Sequence, residues 1–178
     1  FAYHDVLMSV TLDRPPLLSG QYWAMDDTST RADPYFGYAS DIIYLISQTS
    51  ELSSKIAASA YPDYTSDQPV ARPLAGVSKG SAGLLFHFSP QKLEANDNII
   101  EGYRIEADLL HWSCPDESIG TPLHLLAESY RSAALLHLYR TLRRYNDEMS
   151  QDVDPKIRHH VSIICSLVGR MPEGCLAE

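Results

Sequence analysis

Residues 121–145 read TPLHLLAESYRSAALLHLYRTLRRY, the longest run in the chain that fits one helix with no glycine or proline in its interior. Thr121 is placed to cap the first turn, and Pro122 stands at the first helical position, where a missing N–H costs nothing. Arg140, Arg143 and Arg144 put cations at the negative end of the helix dipole. At about 100° per residue, Leu123, Leu126, Ala127, Tyr130, Ala133, Ala134, Leu138 and Leu142 fill one broad arc. Leu125, Leu136 and Tyr139 occupy part of the opposite side. A helix apolar over most of its circumference is surrounded by other elements. The stretch is predicted to be the central helix of an all-α fold.

The remaining helices follow outward from it, several of them announced by a capping residue and a proline. Ser89-Pro90 opens a helix to about residue 112, with Leu93, Ile99, Tyr103, Ala107 and Leu110 expected on one face. Gly102 within it costs about 1 kcal/mol of helix propensity. Asp154-Pro155 is read as the start of a last helix to about residue 170, lined by Ile157, Val161, Ile164 and Val168. Upstream, residues 39–60 place Ile42, Leu45, Ile46, Thr49, Leu52, Ile56 and Ala60 at steps of three and four, with Ser, Gln, Glu and Lys between them. That pattern predicts an amphipathic helix packing one side. Residues 1–11 read as the end of a helix stopped by Arg14-Pro15-Pro16, and Asp33-Pro34 as the opening of a short helical turn before Gly37. Trp23, in the irregular loop between, is expected to dock on the helical body. No stretch reads as a strand, so the expectation is an irregular multi-helix bundle around residues 121–145.

Residues 61–89 break the pattern with Pro62, Pro69, Pro73, Gly76, Gly80 and Gly83 among many Ser and Ala. A loop of that length is functional or disordered, and its composition predicts a disordered insertion. The whole of 1–178 is otherwise expected to be a single helical domain. Phe1 in place of an initiator Met, and Glu178 inside apparent structure, predict a fragment cut at both ends.

Composition narrows the function. Apolar residues at 44% and charged residues at 21% are ordinary globular values, which point to a packed core. A net charge of −9 disfavours direct nucleic-acid contact by this segment, since phosphates demand clustered cations. No run of apolar residues is long enough to cross a membrane, and residues 1–10 lack a signal-peptide pattern. Cys114, Cys165 and Cys175 are too few and too far apart for a zinc site and read as reduced thiols.

Candidate chemistry is thin. His159-His160 are adjacent and point about 100° apart, so they do not chelate one metal and read as solvent-facing. His4-Asp5 has no nucleophile near it in a recognisable setting. Asp26-Asp27 lies in a Ser/Thr loop without a third carboxylate at the right step, and residues 76–83, GVSKGSAG, lack the order of a phosphate loop. Arg131 is more informative. It falls in the arc of Leu135, Leu138 and Leu142, and a buried guanidinium needs a partner. Glu128, one turn earlier, is one candidate; Asp5 or Glu51 from another helix is a second. A structural role is favoured over ligand contact.

The same stretch carries a resemblance. Ala127-Glu128-Ser129-Tyr130-Arg131, followed by Ala133-Ala134-Leu135-Leu136-His137-Leu138-Tyr139-Arg140, resembles the A-E-x-Y-R-x-A-x-L-L-x-L-Y-R signature of the fungal-specific transcription factor domain, the regulatory region of binuclear zinc cluster factors. Three further pieces agree in order and spacing. Residues 1–18 resemble its aromatic-x-x-D segment ending in R-P-P. Residues 33–37, DPYFG, with the helix after them, resemble its D-P-x-x-G segment, and Leu109-Leu110-His111-Trp112 its leucine–tryptophan helix end. On these positions Asp5, Glu128, Tyr130 and Arg131 are the motif residues, with a structural role expected.

The resemblance implies an all-helical, non-enzymatic domain that regulates transcription in the nucleus in response to a metabolite, a partner protein or a modification. Its inputs would be a small-molecule effector or a transcriptional partner, with homodimerisation a further expectation; no ligand is named by the residues. DNA binding and zinc would reside in a cysteine-rich N-terminal module outside these residues, and no cofactor is expected within them. The competing reading is a helical interaction scaffold with no role at DNA; a helical enzyme is disfavoured by the absence of a convergent acid–base or metal set.

Overall fold

Each helix of this protein starts or stops where a short-range signal tells it to, but which side it buries is decided by its neighbours. The computed structural model describes residues 1–18, 33, 36–60, 90–115, 118–145 and 150–172. Among them are five helices: α1 (Ala2–Leu12), α2 (Ser40–Ala60), α3 (Pro90–His111), α4 (Pro122–Tyr145) and α5 (Ser150–Val168). No strand occurs among the described residues beyond one isolated bridge between Asp33 and Gly37. The expected disordered insertion at 61–89, Trp23, Asp26-Asp27 and residues 76–83 all lie outside the described residues.

α4 is the central helix. It packs on α2, α3 and, most extensively, α5, and Tyr130 reaches α1 through a hydrogen bond to Tyr3. Its cap is as expected: Thr121 Oγ1 accepts the His124 amide at 3.2 Å. Ala127, Ala134, Leu135, Leu138, Tyr139 and Leu142 are buried in the shared core with Val6 of α1, Ile42 and Leu52 of α2, Ile105 and Leu109 of α3 and Val153 of α5. Leu125, expected opposite the main arc, is buried too, whereas Leu123 and Ala133 are exposed. The buried arc is therefore rotated away from Leu123 and Ala133.

α2 departs further from its pattern. It was expected to bury one side, but it lies between α1, α3 and α4 and buries Ser47, Thr49, Ser50 and Ser53 along with its isoleucines and leucines. Small hydroxyl residues allow close approach, and two of these satisfy themselves on the preceding turn. Ser47 Oγ donates to the Tyr44 carbonyl at 2.7 Å and Thr49 Oγ1 to that of Leu45 at 2.9 Å.

α3 shows the opposite face from the one periodicity suggested. Tyr103, Ala107 and Leu110 are exposed, while Gly102, Ile105, Glu106 and Leu109 turn inward. The reason is Gly102, where an added Cβ would stand 2.8 Å from Leu142 Cδ2 of α4. The glycine that weakens α3 locally is its point of closest approach to α4, and the face around it becomes the buried one.

One smaller expectation also changes. α5 begins at Ser150, a turn before Asp154-Pro155, so Pro155 lies inside the helix. Burial of Val153 in the core holds that first turn in place against the one backbone hydrogen bond that proline removes. Asp33 and Gly37 close a two-way backbone bridge, at 2.7 and 2.9 Å; residues 34 and 35 of the expected helical turn lie outside the described residues. Asp33 Oδ1 accepts the Phe36 amide at 2.9 Å, and Gly37 takes φ +57°.

Gly102→Ala removes a helix-propensity penalty of about 1 kcal/mol and introduces overlap with a buried leucine. Urea denaturation is expected to show a net loss of ~1–2 kcal/mol. Combined with Leu142→Ala, the loss should be smaller than the sum of the two single losses. Stabilisation by Gly102→Ala alone would contradict the close approach of α3 to α4.

Candidate functional site

The motif residues occupy the junctions of α4 with its neighbours. Asp5, in the first turn of α1, is buried; its carboxylate accepts the Leu18 amide at 2.9 Å and faces the Arg14 guanidinium at 3.4 Å. This folds the Arg14–Leu18 stretch, with its two prolines, back onto α1. Tyr130 is half-buried and shares a 2.7 Å hydrogen bond between hydroxyls with Tyr3, whose ring lies 5.1 Å from that of Phe36. Burial first, and the Tyr3 hydrogen bond second, push the Tyr130 hydroxyl up to about 12.

Arg131 donates to Glu128 Oε2 from Nη2 at 2.6 Å and from Nε at 3.0 Å. The side chains are 26% and 19% exposed, so the pair is partly withdrawn from water. Of the partners proposed for Arg131, the structure places Glu128 on it. Asp5 is engaged elsewhere, with Arg14 and Leu18.

Two polar networks that periodicity does not reveal lie on either side of these residues. In the first, between α1, α2 and α4, Ser9 Oγ donates to Ser50 Oγ at 2.9 Å and Ser50 Oγ meets His137 Nε2 at 3.2 Å. Close by, Ser53 Oγ donates to Asp13 at 3.1 Å, and Arg144 pairs with the same carboxylate. Burial drives the His137 pKa down to about 4; Asp13 opposes the shift and Arg140 and Arg144 reinforce it. The imidazole is therefore neutral at ordinary pH.

In the second network, between α3, α4 and α5, Glu106 Oε1 accepts from Tyr139 Oη and from Lys156 Nζ, each at 2.7 Å. Lys156 also stands 5.1 Å from the centre of the Tyr139 ring. Glu106 is 8% exposed, and its lysine keeps it from being an uncompensated buried charge. His160 packs its ring 5.8 Å from Tyr139, and its buried Nδ1 lacks a hydrogen-bond partner among the described residues. Burial, then His159 and Arg131, lower its pKa. Glu106 and Tyr139 had a faint signature in the sequence, an acid and a phenol each set among buried apolar residues. Nothing in the sequence marks Ser9, Ser50 and His137 as partners.

The contacts of these polar groups are to other protein groups. His4 is exposed against the edge of the Tyr3 ring, and with Asp5 committed to Leu18 the two do not form an acid–base pair. His159 is exposed and His160 half-buried, which corrects the expectation that both face solvent. No group of three or more His, Cys, Asp or Glu among the described residues is arranged to hold a metal, and no helix among them is long and apolar enough to cross a membrane.

A family model for the fungal specific transcription factor domain matches residues 1–177. The chain belongs to that family. Membership implies a non-enzymatic role in transcription regulation, and with it a nuclear one. No curated protein and no solved structure matches the chain.

Two measurements test this reading of the polar groups. Because the folded pKa of His137 lies below its unfolded value of 6.5, the unfolded chain takes up the proton first. Stability is then full above pH 6.5 and falls as pH drops towards 4, by up to about 3 kcal/mol, with His160 adding in the same direction. His137→Gln should flatten the slope between pH 6.5 and 5 in denaturant titrations; an unchanged slope would mean the imidazole is solvated. Arg131→Ala should cost about 1–2 kcal/mol, between the values of exposed and fully buried pairs. A cost below ~0.5 kcal/mol would place Arg131 among residues that are free for another role.

Proposed function

We propose that this chain is the regulatory body of a transcription factor that answers to an effector or a partner protein, with DNA read by a zinc cluster module carried elsewhere in the protein. The observation that carries the reading is the family match over residues 1–177. The net charge of −9 agrees with it, because a segment with 14 cations and 23 acids is poorly suited to holding phosphates by itself. The engagement of Asp5, Glu128, Tyr130 and Arg131 in contacts within the protein also agrees, since such residues maintain a scaffold and leave recognition to other surfaces.

The regulatory role is tested by fusing residues 1–178 to a heterologous DNA-binding domain and measuring a reporter in a fungal host. Altered transcription, up or down, is expected; an unchanged reporter with the fusion present in the nucleus would count against it. Effector binding is tested by thermal shift across sterols, amino acids and aromatic metabolites. A ligand at ~100 times its dissociation constant adds about 2.7 kcal/mol of stability, and no shift across the panel would leave a partner protein as the input.

A further inference from the structure

The contacts that hold the first four helices together do not pass through α5. α2 packs against α1, α3 and α4, and α3 packs against α4. α5 lies chiefly on α4. Val153 and Leu167 are buried, Ile157 packs on the core and Ile164 is half-buried, whereas Val161 and Val168, expected on the same face, are exposed. The polar ties of α5 are Lys156 to Glu106 of α3 and an exposed pair, Asp154 with Arg143 of α4. Opening of α5 alone breaks these contacts and leaves those among α1 to α4 in place, so it demands less free energy than global unfolding.

His160 stands in this joint. Its ring lies 5.8 Å from that of Tyr139 on α4 and 5.3 Å, edge-on, from that of His159. Nδ1 is buried and has no hydrogen-bond partner among the described residues. A neutral imidazole tolerates this, because the proton sits on Nε2 and Nδ1 keeps a bare lone pair. The imidazolium carries N–H on both nitrogens, so protonation creates a buried donor without an acceptor. The groups around it do not relieve this. On α5 itself they are Lys156 and His159; on α4, Arg131, which is paired with Glu128, and Tyr139, which donates its hydroxyl. On α3 it is Glu106, whose Oε1 already accepts from Tyr139 and Lys156. We infer that protonation of His160 releases α5 from α4, so that the last helix is an acid-sensitive latch on a body that stays folded.

Linkage fixes the direction. Burial, then the charges of His159 and Arg131, hold the folded pKa of His160 below its ordinary 6.5, so the released helix takes up the proton first. Docking is therefore full above pH 6.5 and weakens as pH falls towards the folded value. At pH 5.5 a released imidazole is about ten to one protonated, so the opening constant rises by up to ~10-fold. His137 meets Ser50 of α2 and keeps that contact when α5 leaves, so its own titration acts on the body and not on the latch. The inference goes beyond the regulatory role and does not depend on it.

Amide hydrogen exchange of the 178-residue chain, read by mass spectrometry at pH 7.0 and 5.5 and corrected for intrinsic rates, tests it. Protection in peptides from 150–168 should fall several-fold at pH 5.5 while that in peptides from 40–60 holds. His160→Phe keeps a ring against Tyr139 and removes the titrating proton; His160→Gln removes the proton and keeps a polar group. Either variant that retains native circular dichroism should show α5 protection independent of pH, whereas His159→Gln should keep the wild-type dependence. Equal α5 protection at the two pH values, loss of protection in 150–168 and 40–60 together, or a pH dependence that survives the loss of His160 overturns the inference.

Discussion

Every polar side chain on the buried side of α4 must find its partner inside the protein, and most of the remaining structure follows from that demand. Helices on several sides leave α4 only a narrow strip open to solvent, so Tyr130, Arg131, His137 and Tyr139 cannot all reach water. Each is satisfied by a different element: Tyr3 of α1, Glu128 of α4 itself, Ser50 of α2 and Glu106 of α3. An unmet buried group costs about 1–3 kcal/mol, comparable with the gain from burying a leucine. The apolar core supplies most of the driving force, while these contacts fix which helix sits where around α4.

This accounts for the signature in physical terms. Glu128 and Arg131 close a turn of α4 on its buried side, Tyr130 ties that turn to α1, and Tyr139 ties the next turns to α3. Asp5 lies on the same helix as Tyr3 and Ser9, which reach α4 and α2, and it holds the Arg14–Leu18 segment back against α1. The motif is a record of packing. Its residues are committed to contacts within the protein, so they say little about what the chain senses.

The helices themselves were legible in the sequence because the signals that start and stop them are local. Thr121 caps one turn away and proline restricts its immediate neighbours, so the existence and rough limits of α2, α3 and α4 could be read directly. The inward faces were less legible, since burial is a property of the partner as much as of the helix. Tyr103 and Leu110 look like core residues until Gly102 draws α3 against Leu142 and turns them outward. Ser47, Ser50 and Ser53 look like a solvent face until α2 is enclosed by three helices. The Ser9–Ser50–His137 network was invisible for the same reason: its members are far apart in sequence, and each alone is an ordinary polar residue.

α5 differs from the other helices in how it is held. It rests chiefly on α4, with the Lys156–Glu106 contact its tie to α3. That contact is shared with Tyr139, whose ring also faces His160. A change in the position of α5 would therefore be felt first at Glu106 and Tyr139, because a carboxylate that is 8% exposed is poorly able to exchange its lysine for water. Tyr139 shares its helix with His137 and Tyr130, which hold α2 and α1. α5 is thus joined to α3 and α4 through a carboxylate that is 8% exposed and shared between Lys156 and Tyr139.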